Sequence, residues 1–291
     1  MAHAPLLDVV RLGPALGAEV RGLDLRTLSS AEFAAVHAAW MQHQVLVFPG
    51  QALSDAEQVA FTRLFGEPEI HQQAIIKSSR VPEIFRVANT DEAGQLLPPT
   101  AEPVRQLGSA QTWHTDSSYR SNPSMGTILR AVEIVQAGGE TQFLNMMAVW
   151  DALPQALKDQ VLGRRARHDF GFLRQLRALP PLRAEERAAM PPVWQPMVWR
   201  HPVTGRVSLY ISLIYNDAVE GMSSAAAAAL FRELAAFAEQ RQFCFSHRWR
   251  SGDVVIWDNR CTVHRVTPWN PAERRVLHRT TIAGDGAPLG V

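Results

Sequence analysis

The segment at residues 111–119 constrains the fold most, because its side chains can complete a binding site only if a distant part of the chain packs against them. Within it, His114 is the only histidine of the chain that is followed two positions later by a carboxylate, that of Asp116. Residues i and i+2 of an extended strand point to the same face. One strand can therefore direct an imidazole nitrogen and a carboxylate oxygen at the same metal ion.

Two protein ligands leave such a metal site incomplete, so a third must come from elsewhere, and His264 in the segment 261–265 is the natural candidate. Two histidines and one carboxylate on one side of a metal form the facial triad of non-haem Fe(II) oxygenases. The His-x-Asp pair alone says little, since 10 histidines and 28 acidic residues among 291 give about one such pair by chance. A strand-end histidine beside a solvated aspartate is the alternative.

The C-terminal residues add a second constraint. Residues 262–266 and 275–282 each alternate like a strand, and a proline-bracketed loop separates them. A hairpin around that loop pairs His264 with Arg279 and turns Arg275 to the same interior face. Buried guanidinium groups need an anion, and arginine grips a carboxylate with two parallel hydrogen bonds. This pattern predicts a metal site beside a carboxylate-bearing ligand, or, alternatively, two arginines that pair with acidic residues of the protein itself.

The remaining sequence predicts one domain over residues 1–291, with helices added to a mainly β core. Ser29 and Ser54 are each followed three residues later by glutamate, the capping-box signature of a helix start. Residues 89–110 are rich in proline, glycine and small polar residues, which predicts a long loop that acts as a mobile lid or is disordered. Residues 163–192 carry seven arginines and predict a solvated, mobile excursion.

Charge and apolar content exclude several classes of partner. The chain has 29 basic and 28 acidic residues, so no overall field favours nucleic acid or an anionic membrane, and small-molecule partners are expected. No apolar run is long enough for a membrane span, and residues 1–13 lack the features of a secretory signal. These two features predict a cytoplasmic protein. Cys244 and Cys261 stand in unrelated contexts, which predicts reduced structural cysteines rather than a disulfide or a zinc site.

Taken together, the motifs resemble those of the Fe(II)- and 2-oxoglutarate-dependent dioxygenases that include taurine dioxygenase and the aryloxyalkanoate herbicide dioxygenases (the TauD/TfdA family). The similarity covers nearly the whole chain, and the combination is far more specific than any single motif. The matching segments are WHTD at 113–116, GGET at 138–141, WDNR at 257–260, His264 and residues 274–285. The resemblance implies a mixed α/β fold with a mainly β core, a double-stranded β-helix or jelly roll with flanking helices.

The same resemblance implies a reaction. His114, Asp116 and His264 would hold Fe(II), and 2-oxoglutarate would be converted to succinate and CO₂ with O₂ while a small organic anion is hydroxylated. Substrates of this type are sulfonates, alkyl sulfates and aryloxyalkanoates. If the hydroxylated carbon bears a sulfonate, sulfate or aryloxy group, the product collapses by losing that group.

Further site residues follow from the resemblance. Thr141, Arg275 and Arg279 would bind 2-oxoglutarate, with Arg279 as the principal clamp on its distal carboxylate. His71 looks like the histidine that contacts the sulfonate in taurine dioxygenase, and Arg279 could serve there as well. Tyr215 could supply aromatic surface to the substrate. The tryptophans of residues 191–199 could do the same or could pack in the core.

Three positions depart from the taurine dioxygenase pattern, because Ala74, Ala110 and Leu173 stand where that enzyme has tyrosine, asparagine and serine. The polar groups that would receive the amine of taurine are missing, and burying an ammonium group against apolar side chains is unfavourable. Taurine is therefore expected to be a poor substrate, and the ligand is expected to pair an anionic end with an apolar or aromatic body.

Two other functions are compatible with this kind of site. A related radical halogenase needs the coordination position of the carboxylate for halide, and Asp116 occupies it. A non-catalytic jelly roll that binds a metal or a small ligand predicts no succinate formation with any substrate. Members of the family are often oligomeric, so a homo-oligomer is possible for this chain.

Overall fold

Short apolar runs form the strands that build the scaffold. The computed structural model describes residues 7–71 and 77–291. The strands within these ranges are β1 Asp8–Arg11, β2 Ala18–Arg21, β3 Val45–Phe48, β4 Phe85–Ala88, β5 Gly126–Glu133, β6 Thr141–Asn145, β7 Arg165–His168, β8 Val193–Pro196, β9 Val198–Arg200, β10 Val207–Leu209, β11 Asn216–Val219, β12 Cys244–His247, β13 Val254–Asp258, β14 Thr262–Val266 and β15 Val276–Ile282.

Helices connect and cover these strands. In the same ranges they are α1 Ser30–His43, α2 Asp55–Arg63, α3 Glu102–Leu107, α4 Met146–Ala152, α5 Gln155–Val161, α6 Phe170–Leu176, α7 Ala184–Ala189 and α8 Ser224–Ala238. Both predicted capping boxes are confirmed, since Ser29 and Ser54 accept the N–H of the third helical residue and its glutamate accepts theirs. None of the helices in the described ranges has the length and apolar character needed to cross a bilayer.

Strands that are distant in sequence lie side by side in the largest sheet. Its seven strands follow the order β1-β2-β3-β13-β5-β15-β4, and all its neighbours are antiparallel except β2 and β3. A second sheet has the order β12-β6-β14, and two smaller sheets have the orders β11-β7-β8 and β10-β9. Because β13 and β15 flank β5, the C-terminal strands complete the large sheet.

The large sheet is buried on both faces, as neighbouring residues of β13 demonstrate. Ile256 packs in one apolar cluster with Trp40 of α1 and with Phe61 of α2. Trp257, on the opposite face, packs against Phe143 of β6, with ring centroids 5.4 Å apart. Helices α1 and α2 therefore cover one face of the large sheet, and the β12-β6-β14 sheet covers the other.

The predicted hairpin between residues 262–266 and 275–282 is wrong. Strand β14 pairs with β6 in the β12-β6-β14 sheet, whereas β15 pairs with β5 and β4 in the large sheet. The loop between them is held by segment 138–140 instead, through the Gly138–Trp269 bridge and the Thr267 N–H that donates to Glu140. Side-chain alternation identifies strands but not their partners, so this crossover between sheets was invisible in the sequence.

The two segments predicted as irregular have more structure than expected. The prediction of a long loop over residues 89–110 was wrong where α3 and the start of a 3-10 turn interrupt it, and Pro103 stands in the first turn of α3, where proline suits a helix start. The arginine-rich segment 163–192 contains β7, α6 and α7. Its Arg174 is buried and bonds to Glu102 of α3 at 2.7 Å, so this side chain departs from the predicted solvated face.

Candidate active site

His114 faces His264, which lies in β14 at one edge of the β12-β6-β14 sheet. The backbone N–H of His114 donates to the carbonyl of His264 (3.0 Å), and that of His264 donates back (2.7 Å). Their imidazole centroids are 4.2 Å apart. Asp116 adds its carboxylate, and ligand atoms of the three side chains lie within 4.8 Å of one another. The residues predicted as metal ligands thus lie together in the fold.

The protonation states of these three buried residues suit a divalent metal. Burial lowers the pKa of His114, and that of His264 well below its ordinary value, so both imidazoles are neutral near pH 7. His114 Nδ1 lies 2.8 Å from the carbonyl of Thr112, which leaves Nε2 with the lone pair. Burial by itself would raise the pKa of Asp116, but the net shift is downward, with the Arg279 guanidinium as the main opposing charge and the Thr127 hydroxyl as a hydrogen-bond donor. Two neutral imidazoles and an ionised carboxylate fit Fe(II).

Both carboxylate oxygens of Asp116 already have a protein partner. Arg279 Nη1 donates to Oδ1 at 2.8 Å, and the Thr127 hydroxyl donates to Oδ2 at 2.7 Å. Arg279 therefore does pair with an acidic residue of the protein, which was the alternative left open by the sequence. Its Nε is buried without a partner among the described residues, so one N–H of this guanidinium is available to a ligand.

Arg275 behaves differently from Arg279. It is buried, and within the part of the chain that the structure describes no carboxylate lies within salt-bridge distance of it. Its Nη2 donates to the carbonyl of Gly139 at 2.9 Å, its guanidinium lies 5.0 Å from the ring centroid of Trp269, and burial lowers its pKa to about 10. A cation buried without a counter-ion predicts an anionic ligand at this position.

Thr141 lies in the same cavity as Arg275 and the three candidate ligands. Its hydroxyl oxygen accepts the indole N–H of Trp249 at 3.0 Å. Because the indole N–H only donates, the proton of the Thr141 hydroxyl stays available to an acceptor in the cavity. Arg275 and Thr141 thus offer an anion one cation and one further donor.

Several aromatic side chains line the cavity. His71 and Tyr215, the predicted substrate residues, both line it. Tyr215 is buried, and its ring centroid lies 4.9 Å from that of Tyr119 and 6.0 Å from that of Phe170. His71 meets Phe85 edge to face at 5.2 Å. A flat apolar group of a ligand would find aromatic faces on several sides here.

Three of these aromatic residues were missed by sequence reasoning. Phe85 lies in β4 and stacks under Arg279, with 4.0 Å between the guanidinium carbon and the ring centroid. Phe170 starts α6, inside the segment that was predicted to be solvated. Tyr119 belongs to the 111–119 segment, and its closeness in sequence to His114 and Asp116 could have indicated that it borders the site. Apolar patterns mark such residues as buried but do not say which of them border a cavity.

The positions that differ from taurine dioxygenase also border this cavity where they are described. Ala110 and Leu173 line it, and Ala74 lies outside the described residues. In segment 191–199, Trp199 is buried against Tyr210 at 4.9 Å and its indole N–H donates to the Arg260 carbonyl. Trp199 therefore packs in the core, the second of the two roles that the sequence left open.

A second cluster with metal-ligating side chains consists of His201, Asp258 and Cys261. Its carboxylate is already neutralised, because Arg260 binds both oxygens of Asp258 at 2.8 Å and His201 Nε2 lies 2.9 Å from Oδ2. A metal ion would have to displace a buried guanidinium. We interpret this cluster as a structural ion pair that holds the end of β13.

Residues 8–281 match the model of the family described as taurine catabolism dioxygenase TauD, TfdA family. The alpha-ketoglutarate-dependent 2,4-dichlorophenoxyacetate dioxygenase of Cupriavidus pinatubonensis is 36% identical over 94% of this chain and 96% of its own. The (S)-phenoxypropionate/alpha-ketoglutarate-dioxygenase of Delftia acidovorans is 35% identical over 97% and 98%. The crystal structure of AAD-2 in complex with Mn(II) and N-oxalylglycine has a TM-score of 0.89 and 30% identity, covering 98% of this chain and 100% of that one.

Proposed function

We propose, since this chain belongs to the TauD, TfdA family, that it is an Fe(II)- and 2-oxoglutarate-dependent dioxygenase that oxidises a small organic anion. The observation that carries the proposal is the combination, in one cavity, of the His114, Asp116 and His264 cluster with the buried, uncompensated Arg275. A structural metal needs no anion site beside it, whereas a keto-acid co-substrate needs both a metal and a neighbouring site for its distal carboxylate.

The scaffold is proposed to be a double-stranded β-helix, or jelly roll, with α1, α2 and the other helices outside it. The packing of the β12-β6-β14 sheet against the large sheet supports this. We further propose one dioxygenase domain over 1–291 and a lid at 89–110. Contacts of Arg174 and Arg105 join α3 of the lid to the 163–192 excursion, which would then move with it.

His114, Asp116 and His264 would hold the iron, and bound Fe(II) would supply the activation of O₂ that couples decarboxylation of 2-oxoglutarate to substrate oxidation. The protein's part is to keep three ligands on one side and leave the other side open. Neutral imidazoles and an ionised Asp116 make the site ready for the metal without loss of protons near pH 7.

We assign Arg275, with Thr141, to the distal carboxylate of 2-oxoglutarate. The resemblance to the family had implied Arg279 as the principal clamp, but one N–H of Arg279 already serves Asp116, and Arg275 lacks a counter-ion. Arg279 is then left to present its Nε to the substrate anion beside His71. Each anion would thus have its own guanidinium, and the two would be held at separate places in the cavity.

Gly139→Ala tests the Arg275 assignment from the backbone side. Gly139 has a φ of +66°, and an added Cβ would stand 2.9 Å from Arg275 Nε. We expect the free energy of unfolding to fall by about 1–2 kcal/mol from backbone strain and the KM for 2-oxoglutarate to rise because the guanidinium is displaced. Urea unfolding and steady-state kinetics measure the two effects.

Gly163→Ala is the matched control, since Gly163 has a φ of +70° with nothing within 4 Å of its added Cβ. It should lose similar stability and keep the KM for 2-oxoglutarate. An equal rise in KM in both variants would contradict a role of Gly139 in placing Arg275.

For the substrate we propose a carboxylate on an aryloxy body. Phe85, Phe170, Tyr119 and Tyr215 line the cavity, which favours an aromatic group over a short polar chain. The relatives named for 2,4-dichlorophenoxyacetate and phenoxypropionate act on compounds of this kind. Sulfonates and alkyl sulfates are the other small anions to be compared.

Succinate release tests the proposed function. Apoprotein reconstituted with Fe(II) without O₂ is mixed with 2-oxoglutarate, O₂ and one of several aryloxyalkanoates, alkyl sulfates or sulfonates, including taurine. We expect an aryloxyalkanoate to raise succinate release well above the substrate-free rate, and taurine to leave it near that rate, because Ala110 and Leu173 offer no polar partner to an ammonium group.

Each outcome separates a different hypothesis. Taurine turnover with an affinity like that for 2-oxoglutarate would contradict the substrate proposal. Tight 2-oxoglutarate binding without any stimulation would keep the site and move the substrate outside this panel. Absence of 2-oxoglutarate binding would leave a non-catalytic jelly roll.

A further inference from the structure

A buried chain of hydrogen bonds runs from Trp257 to the candidate ligand Asp116. The indole N–H of Trp257 donates to Asn259 Oδ1 at 2.9 Å, and Asn259 Nδ2 donates to the Thr127 hydroxyl at 2.9 Å. That hydroxyl donates to Asp116 Oδ2 at 2.7 Å. All four side chains are at most 3% exposed, so water does not compete for these bonds.

Asn259 holds the ligand segment at two further points. Its Nδ2 also donates to the Ser124 hydroxyl at 2.9 Å, which in turn donates to the backbone carbonyl of Asp116 at 3.0 Å. Its own backbone carbonyl accepts the hydroxyl of Thr115, the residue between the two ligands of this segment, at 2.8 Å. One asparagine therefore reaches both the side chain and the backbone of the segment that carries His114 and Asp116.

The direction of every hydrogen in this chain is determined by one group. An indole N–H can only donate, so the oxygen of the Asn259 amide must face Trp257 and its NH₂ must face the two hydroxyls. Each hydroxyl, having accepted a hydrogen from Nδ2, uses its own proton on Asp116. A flipped amide would set two donors against each other at Trp257 and is excluded for that reason.

We propose that Asn259 is a positioning residue for Asp116, acting through the Thr127 hydroxyl. With Arg279 on Oδ1 and Thr127 on Oδ2, the carboxylate is fixed at both oxygens, and Oδ2 is the one that lies 3.8 Å from His264 Nε2. The inference rests on the proposed function in one respect only, that Asp116 is a metal ligand. It assigns to residues outside the triad the task of presenting that ligand in one orientation.

The first test measures the affinity of the apoprotein for Mn(II), which needs no turnover. Thr127→Val removes the donor with little change of shape, and Thr127→Ser retains it as the matched control. We expect the valine variant to bind Mn(II) about 10- to 100-fold more weakly, the usual effect of losing a partner of a metal ligand. The serine variant should stay close to the unsubstituted protein, and the visible spectrum of the Co(II) form should change only in the valine variant.

The second test reverses the direction of the chain. Asn259→Asp keeps the shape but turns the NH₂ into an acceptor, so both hydroxyls would donate to it and Asp116 would lose their hydrogens. We expect weaker Mn(II) binding in an otherwise unsubstituted chain and a smaller further loss in a Thr127→Val background, because the path through Thr127 is then already broken and only the Ser124 bond to the Asp116 carbonyl is left to lose.

Three results would overturn the inference. Thr127→Val could leave Mn(II) affinity unchanged, Thr127→Ser could lose as much as Thr127→Val, or Asn259→Asp could have the same effect in both backgrounds, which would indicate a direct charge effect. No Mn(II) binding by the unsubstituted protein would contradict the proposed function itself, and this inference with it. Apoprotein melting curves for each variant separate these results from loss of the fold.

Discussion

Asp116→Ala is expected to abolish succinate formation from 2-oxoglutarate with every substrate. The substitution removes the only carboxylate of the His114, Asp116 and His264 cluster, and two imidazoles alone do not complete a facial site. Mn(II) affinity should fall by more than the roughly 10- to 100-fold that the loss of a ligand's partner costs. Isothermal titration with Mn(II) and an anaerobically reconstituted succinate assay measure the two quantities.

Asp217→Ala is the control for the loss of an ion-paired aspartate. Asp217 pairs with Arg167 at 2.6 Å, and neither residue lines the cavity of the triad. This variant should keep both metal affinity and turnover. Turnover by Asp116→Ala above one tenth of the unsubstituted rate would contradict the role of Asp116 as a ligand, provided that near-ultraviolet circular dichroism confirms the native fold.

Arg275→Leu is expected to weaken 2-oxoglutarate binding by about 30-fold to several-thousandfold. This corresponds to the 2–5 kcal/mol that is lost when one partner of a buried charge pair is truncated. Arg275→Lys should fall between, since an ammonium keeps the charge but loses the paired hydrogen bonds. The apoprotein of Arg275→Leu should melt no lower than the unsubstituted protein, because it no longer buries a cation without a counter-ion.

Arg279→Leu is the comparison that decides between the two arginines. Titration of 2-oxoglutarate under saturating Mn(II) and without O₂ should give near-normal affinity for Arg279→Leu and a large loss for Arg275→Leu. The KM of the organic substrate should instead rise in Arg279→Leu. The reverse order of 2-oxoglutarate affinities would return the principal clamp to Arg279, as the resemblance had implied.

The sequence allowed more to be predicted about the ligands than about their neighbours. His114 and Asp116 lie two residues apart, which predicted a common face on one strand. In the structure only His114 forms a β-bridge and Asp116 lies in a turn, yet both side chains reach the cluster. His264 was recognised because a third ligand was needed. The prediction that β14 pairs with β15 was wrong because alternation carries no information about which strands are neighbours. The face of Arg275 and Arg279 was still predicted correctly, since their mutual spacing does not depend on the partner strand.

The aromatic lining and the Asn259 network escaped sequence reasoning for a different reason. Phe85 and Phe170 come from segments far from the ligands, and only the closed fold brings them to one cavity. Asn259 stood inside a recognised motif, 257–260, but the direction of its amide depends on the indole of Trp257, which is a fact of geometry. Likewise, which arginine lacks a counter-ion can be read only from distances.

The order of strands in the large sheet also determines at which stage of synthesis the sheet and the site can form. During synthesis from the N-terminus, β3 and β5 emerge long before β13, the strand that separates them, and β4 waits for β15. Until then the nascent chain keeps open sheet edges, which invite pairing with other chains. His264, Arg275 and Arg279 all come with these last strands. A chain cut short before them would therefore lack the metal site and both anion sites, and would be a target for chaperones or proteases rather than a partly active enzyme.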